Sequence, residues 1–307
     1  MKFSILIAIH NRLEITKHGL LVLYQALDHY TKQGQGKCTF EVVVIDDGSK
    51  DGSSEWISKN YPAVHLLTGD GNLWWSGATN KGAIYSIHHL QADYVLLWND
   101  DIVPAVDYFV KVEQIFNTHD LSQTVTGSRI ILRRTMKTWS IGGYFNRTWG
   151  RYGMYDNPGQ ATDFFECDWQ PGMGTFVPAA VLRSDIYWDA NRFPQYHGDS
   201  DYTLRCKQNG YTVTTCLQLV IYNESDNRPK GKSSLKTLWT SLVSMRSNYN
   251  VRQRLNFYHR HGMLPFSFFG LGRTYFFHIG SFFKNTYFKR PAPVQAIKNE
   301  LEYEKRQ

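Results

Sequence analysis

The chain has 307 residues, 42% hydrophobic, 20% charged and 15% aromatic, with 34 basic against 27 acidic side chains. That hydrophobic share supplies a large core and excludes a disordered chain, and the length suits one domain of roughly 200–250 residues with an appendage. A formal charge of +7 suggests a polyanionic partner, but it is unevenly spread: residues 1–224 carry 19 Lys/Arg and 23 Asp/Glu, residues 225–307 carry 15 and 4. The expected division is therefore an acidic main domain, 1–224, and a basic extension, 225–307.

In chain order, residues 3–9 (FSILIAI) form a short β-rich run. With Met1-Lys2 before it, the run imitates the start of a signal peptide, yet it is only seven residues long and no small-residue cleavage site follows. It reads as a buried first strand. Residues 13–30 repeat apolar side chains at helical spacing, and 40–45 (FEVVVI) form a β-branched run of the kind buried on both faces of a parallel sheet. A helix over 51–61, a strand over 63–67, a helix over 76–90 and a strand over 93–98 follow. A helix starting at Pro104 and a strand over 124–132 complete the alternation. Strands and helices alternating at this spacing predict βαβ units, an α/β fold with a mostly parallel sheet flanked by helices. Residues 135–216 mix strands with Gly-, Trp- and Tyr-rich loops, and a helical pattern runs from about residue 233 to 259.

No stretch reaches ~18 uninterrupted apolar residues, so no spanning helix is predicted. Cys38, Cys167, Cys206 and Cys216 lie far apart with no CxxC pair, which predicts four reduced thiols in a cytoplasmic protein.

In a parallel sheet, ligands bind at the carboxyl ends of the strands. Two of those ends carry paired acids: Asp46-Asp47-Gly48-Ser49 after the second strand and Asn99-Asp100-Asp101 after the fourth. The first pair reads as a turn and helix cap or as acceptors for a nucleobase or ribose. The second is more than a cap requires. Adjacent carboxylates repel, and a hard divalent cation such as Mg²⁺ or Mn²⁺ that also holds substrate phosphates removes the penalty. The glycine-punctuated segment 69–82 lacks the spacing of a P-loop or a dinucleotide fingerprint, which argues against ATPases and NAD enzymes. Near residue 198 a helix begins with Asp199 and Asp201 in its first turn. Both suit the helix dipole, and either suits a general base.

Taken in order, SILIAIHNR, VVVIDDGSKDGS, GNLWWSGATNKG, YVLLWNDDIVP, GMGTFVPAAVL and HGDSDYTLRCKQNGY resemble the family 2 glycosyltransferases of GT-A fold, most of all their bacterial rhamnosyltransferase-like branch. The resemblance spans about residues 3–222. It implies inverting, metal-dependent transfer from a nucleotide-sugar without a covalent intermediate. Asp47, with Asp46 beside it, matches the acid that contacts the donor base. Asp101 matches the ligand of the cation, Mg²⁺ or Mn²⁺, on the diphosphate, and Asp100 lies near the sugar. Trp74 and Trp75 fall in the loop lining the donor cleft, and Asn80 in the step that follows it. Asp199 matches the general base. Gly198 stands where the family usually has Glu, which makes Asp201 a rival. Where many members carry a metal-binding His, this chain has Asn223-Glu224, so either Asn223 or Glu224 is the substitute ligand, or Asp101 and phosphate hold the metal.

The implied donor is a dTDP- or UDP-sugar (rhamnose or a hexose), and the implied acceptor a glycan or lipid-linked hydroxyl in surface polysaccharide synthesis. A non-catalytic nucleotide- or glycan-binding relative is the alternative. A nucleotidyltransferase would need an early basic Gly-rich loop, which is missing.

Residues 264–290 contain eight Phe and two Tyr with Arg273, Lys284, Lys289 and Arg290 interspersed. They read either as a helix packed on the main domain or as an interfacial segment on anionic lipid, placing the protein on the inner face of the cytoplasmic membrane. Gly270, Gly272 and Gly280 argue against one long helix. No nucleic-acid recognition motif accompanies the basic residues, and nucleic acid is not an expected partner.

Overall fold

The computed structural model describes residues 1–224 and 234–287. In chain order its elements are β1 (Lys2–Ile9), α1 (Leu13–Gln33), β2 (Thr39–Asp46), α2 (Ser53–Asn60), β3 (His65–Thr68), α3 (Trp74–His88), β4 (Tyr94–Trp98), β5 (Ile102–Pro104) and α4 (Tyr108–Thr118). Then come β6 (Thr124–Leu132), β7 (Lys137–Ser140), β8 (Gly143–Asn146), β9 (Arg151–Met154), β10 (Phe164–Glu166), β11 (Thr175–Pro178), α5 (Ala179–Arg183), α6 (Gly198–Gln208) and β12 (Thr212–Asn223). The extension supplies α7 (Leu235–Val243), α8 (Val251–His261) and α9 (Ser267–Tyr287).

The main sheet runs β10-β12-β6-β11-β4-β1-β2-β3. Its β3-β2-β1-β4 half is parallel, as the βαβ pattern predicts. β11 then enters antiparallel between β4 and β6, so the sheet is mixed. Alternation along β1 sorts its side chains to two faces. Phe3, Ile5, Ile7 and Ile9 join Leu20 and Leu23 of α1 and Phe109 of α4 in one core. Leu6 joins Val43 and Ile45 of β2 and Ala83 of α3 in the other. Helices therefore seal both faces, and the strand ends remain as the open rim.

Three expectations change. Pro104 ends β5, which pairs antiparallel with β12, and α4 begins at Tyr108 after a turn closed by the Tyr108 N–H on the Ala105 carbonyl. The pattern over 233–259 is two helices. Asn250 separates them: its amide donates to the Val243 and Ser244 carbonyls, and its side-chain oxygen accepts from the Gln253 N–H, capping α8. The described part of 264–290 contains one 21-residue helix, α9, in spite of its glycines. Gly270 is there for contact: a Cβ at this position would lie 2.2 Å from the Gly150 carbonyl oxygen. Positions 288–290 fall outside the described residues.

The extension does not stand apart from the main domain. Phe257, Tyr258 and Leu271 share a buried cluster with Phe145, Trp169, Phe193 and Leu204. The opposite side of α9 leaves Phe269, Phe276 and Phe277 exposed, and α7 leaves Leu235 and Trp239 exposed. Among the described residues no helix is long and apolar enough to cross a membrane.

Candidate active site

A cavity of about 760 Å³ opens at the carboxyl ends of β1, β2 and β4, beside the first turns of α3 and α6. Three of its lining residues, Asn11, Trp74 and His197, have positive φ (51°, 55° and 62°). Such backbone is costly for residues with a side chain and concentrates at functional sites.

Asp47 lines this cavity and organises its floor. Its two carboxylate oxygens accept the N–H groups of Gly71 and Trp74, each at 2.9 Å, fixing the 69–74 loop at the start of α3. Trp74 and Trp75 both face the cavity. Trp75 lies so close to Gly172 that a Cβ there would fall 2.3 Å from the indole ring. Asp46 and Asn80 are not among the lining residues. Asp46 accepts from the Ser49 N–H at 2.9 Å and from the Ser54 hydroxyl, so it holds the turn. Asn80 exchanges two hydrogen bonds with the Trp188 backbone, 2.8 and 2.9 Å, and staples α3 to that loop. Neither side chain lines the cavity in the way expected from the sequence; both instead make hydrogen bonds to the surrounding turn and loop.

Asp100 and Asp101 both line the cavity. Asp100 is buried, with one oxygen accepting from the Thr16 hydroxyl at 2.9 Å and the other 3.1 Å from Arg12 Nη2. The same nitrogen sits 3.0 Å from Asp101 Oδ2. Burial raises the Asp100 carboxyl to about 6, with Arg12 opposing the shift and Asp101 adding to it.

Among the described residues no group of three or more His, Cys, Asp or Glu side chains could hold a metal. The donors fit a Mg²⁺- or Mn²⁺-type ion only in the mode where one or two carboxylates hold it and waters and substrate phosphates complete its shell. Asn223 does not join them. It is buried at the end of β12, in register with Ile102 and Leu132, and is absent from the cavity wall. Its neighbour Glu224 pairs with Arg133 and His18.

Asp199 and Asp201, two residues apart on α6, part company. Asp199 faces the cavity and accepts the N–H groups of Gly172 and Ser200 at 3.0 and 2.8 Å. Burial raises its pKa, which makes it a stronger base once ionised. Asp201 is fully buried away from the cavity, within 2.9 Å of Arg205, 2.8 Å of Arg260 and 2.9 Å of His261. Burial alone would raise its pKa, but the His261 hydrogen bond and the charges of Arg205, His261 and Arg260 outweigh that and lower it. A fully paired acid has no lone pair aimed at a substrate, so Asp201 is the bolt between α6 and α8 and not a rival base.

Gly198 also finds its reason here: a Cβ would lie 2.3 Å from Ser76 Oγ, which is itself hydrogen-bonded to the Phe193 carbonyl. The site has no room for the usual Glu.

Several wall residues carry no such signal in the sequence. Arg12 stands at a strand end where no role could be read for it. Trp139, Tyr152 and Trp169 come from the irregular 135–170 region, and Arg246 and Asn248 come from the extension. Arg246 places its guanidinium 5.9 Å from the centre of the Trp74 ring. No spacing in the sequence joins these positions to the strand ends, because the tertiary fold alone brings them together.

The family model for glycosyl transferase family 2 matches residues 4–174, more than half of the chain. The chain belongs to this family. Its mixed sheet is GT-A-like, in agreement with solved structures of similar fold. S. aureus TarS is similar at 17% identity and a TM-score of 0.51, over 73% of this chain and 37% of that one. TarS 1–349 in complex with UDP-GlcNAc gives 15% identity and 0.51, over 74% and 60%. GalNAc-T7 with UDP, GalNAc and Mn²⁺ gives 13% and 0.57, over 92% and 57%. The chain thus spans roughly two- to three-fifths of the length of these structures. No curated protein sequence matches it.

Proposed function

We propose that this chain is an inverting glycosyltransferase that moves a sugar from a pyrimidine nucleoside diphosphate to the hydroxyl of a glycan or lipid-linked acceptor. The observation that carries the reading is one cavity walled by Asp199, by the Asp100–Asp101 pair and by the indoles of Trp74 and Trp75. Family membership supports it, as do the UDP, UDP-GlcNAc and Mn²⁺ held by the similar structures. Asp199 takes the proton from the acceptor hydroxyl as its oxygen attacks the anomeric carbon. The C–O bond to the diphosphate breaks on the opposite face, and the nucleoside diphosphate leaves with the bonding pair. Such proton transfer contributes roughly 10²–10⁴-fold. Asp100 and Asp101 would hold the divalent ion, whose bound charge offsets that developing on the leaving group. The Gly71–Trp74 loop, fixed by Asp47, shapes the base-binding end.

The test is a melting screen of UDP- and dTDP-sugars with Mn²⁺, followed by an assay for released nucleoside diphosphate. Binding raises the melting temperature in proportion to ln(1 + [L]/Kd). Stabilisation with slow release supports the enzyme. Stabilisation without release, with or without acceptor glycans, supports the non-catalytic relative, and no stabilisation by any donor overturns both.

The extension adds a location to this reading. Phe276 is 73% and Trp239 66% exposed, and residues 225–307 carry 15 basic against 4 acidic side chains. An apolar surface on a basic segment suits anionic lipid headgroups, and a lipid-linked acceptor would lie there. Flotation of the full chain with vesicles rich in anionic lipid checks it. Recovery with neutral and anionic vesicles alike at background level removes the membrane from the proposal.

A further inference from the structure

We infer that Arg12 is the resident counter-ion of the Asp100–Asp101 pair, and that a divalent cation enters this site only by displacing it. The inference rests on the proposed nucleotide-sugar chemistry and deepens it by making cation binding conditional on the diphosphate. A single guanidinium nitrogen, Nη2, bridges the two carboxylates at 3.1 and 3.0 Å. The second oxygen of Asp100 is already engaged by Thr16. A small divalent ion binds carboxylate oxygen at about 2.0–2.1 Å, so it competes for the oxygens that Nη2 occupies and is repelled by the charge on that nitrogen.

The pairing is also incomplete on the arginine side. Arg12 Nε is buried with no hydrogen-bond partner, so the guanidinium is under-satisfied where it rests. Arg12 lies immediately before α1, outside the helix, with its side chain partly exposed. A guanidinium fork matches a diphosphate better than it matches two oxygens on separate carboxylates. An arriving diphosphate therefore draws Arg12 away and brings oxygen ligands for the cation in the same event. Without a nucleotide, the acids stay neutralised and bind metal weakly. This accounts for a metal-type acid pair that has no third protein ligand among the described residues.

A ligand that must wait for a minor competent state binds more weakly by the fraction of time that state exists, about tenfold if Arg12 is in place nine-tenths of the time. The experiment counts free Mn²⁺ by electron paramagnetic resonance while MnCl₂ is titrated into wild type, Arg12→Gln and Arg12→Lys, with and without UDP. UDP binding is followed separately by tryptophan fluorescence. Without UDP, Arg12→Gln is expected to bind Mn²⁺ about tenfold tighter than wild type, and Arg12→Lys, which keeps the charge on a shorter side chain without the guanidinium, to fall between. With UDP, the gap closes. Equal or weaker Mn²⁺ binding by both variants without UDP overturns the assignment, as does a gap that UDP leaves unchanged. If Arg12→Gln does not fold, the comparison of Arg12→Lys with wild type decides in the same way. UDP bound by every form, with Mn²⁺ affinities alike, removes the counter-ion role and leaves the proposed function standing. UDP bound by none removes both.

Discussion

The molecule contains two aspartate–arginine clusters that look alike as ion pairs and differ in every other physical respect. Asp201 is 0% exposed, and each of its oxygens is committed to a cation or imidazole from α6 or α8. Asp100 and Asp101 share one arginine nitrogen, and both face a cavity. The pKa directions follow: complete pairing lowers Asp201 in spite of its burial, whereas incomplete pairing leaves burial in control of Asp100 and raises it to about 6. Carboxylates built for structure are closed on all sides, and those built for a ligand keep part of their shell open.

The largest effect that tests this contrast lies between Asp199 and Asp201. Asp199→Asn is expected to cost roughly 10²–10⁴ in turnover while leaving nucleotide affinity and melting temperature near wild type. Calorimetry with UDP and a turnover assay together check it. Full activity in that variant would give the base to another group. Because burial raises the Asp199 pKa, the acid limb of the activity profile should lie above the ordinary carboxylate range. A limb at or below that range would mean that Asp199 is not the titrating base.

Asp201→Asn should do the opposite. Breaking a buried pair by removing one partner costs about 3–5 kcal/mol, because Arg205, Arg260 and His261 lose their shared anion. Urea unfolding would show it, and a loss below about 1 kcal/mol would place the pair among the weak ones. The pH dependence has a definite sign. A depressed folded pKa means that the contribution of Asp201 is fully present above the unfolded carboxylate value, about 3.9, and is lost as pH falls through the lower folded value. Asp100 runs the other way: raised to about 6, it costs stability once pH rises above the unfolded value, and that cost is relieved as pH falls through 6. Asp51, Glu113 and Asp189 are lowered as well, so the fall in stability expected of wild type below about pH 4 should be shallower in Asp201→Asn without vanishing.

These two clusters also mark how far the sequence can be read. The parallel half of the sheet is legible because β1, β2 and β4 each carry an apolar run (residues 5–9, 42–45 and 94–98), which a strand buried on both faces explains. The acids at the strand ends are legible for the same reason, since polar pairs that directly follow such runs emerge at the rim. Asp201 is not, because its partners Arg260 and His261 lie some 60 positions away, and sequence spacing carries no record of which acids are neutralised across the fold. Pro104 reads as a helix start because proline favours the first helical turn, while the pairing of Ile102–Pro104 with β12 depends on a strand more than a hundred residues on. Arg12, Trp139, Tyr152 and Arg246 reach the cavity from four separate stretches of chain, and only the folded structure makes them neighbours.

Gly198 supplies the smallest effect and the narrowest test. It opens α6 one residue before Asp199, where the resemblance would supply a Glu. Placing that Glu back should not complete the site. Its Cβ would fall 2.3 Å from Ser76 Oγ and 3.1 Å from the Phe193 carbonyl oxygen, and the Ser76 hydroxyl is tied to that same carbonyl. Neither neighbour is the loose end of a long side chain, so α6 must shift away from α3. Overpacking of this kind costs about 1–3 kcal/mol, and the shift moves Asp199 off the Gly172 N–H that holds it. Gly198→Glu is therefore expected to melt earlier and turn over more slowly, and Gly198→Ala to show a smaller loss of the same sign. A Glu variant that melts as wild type and works faster would mean that the first turn of α6 yields readily, and that the glycine had left the site short of an acid rather than fitted to its neighbours.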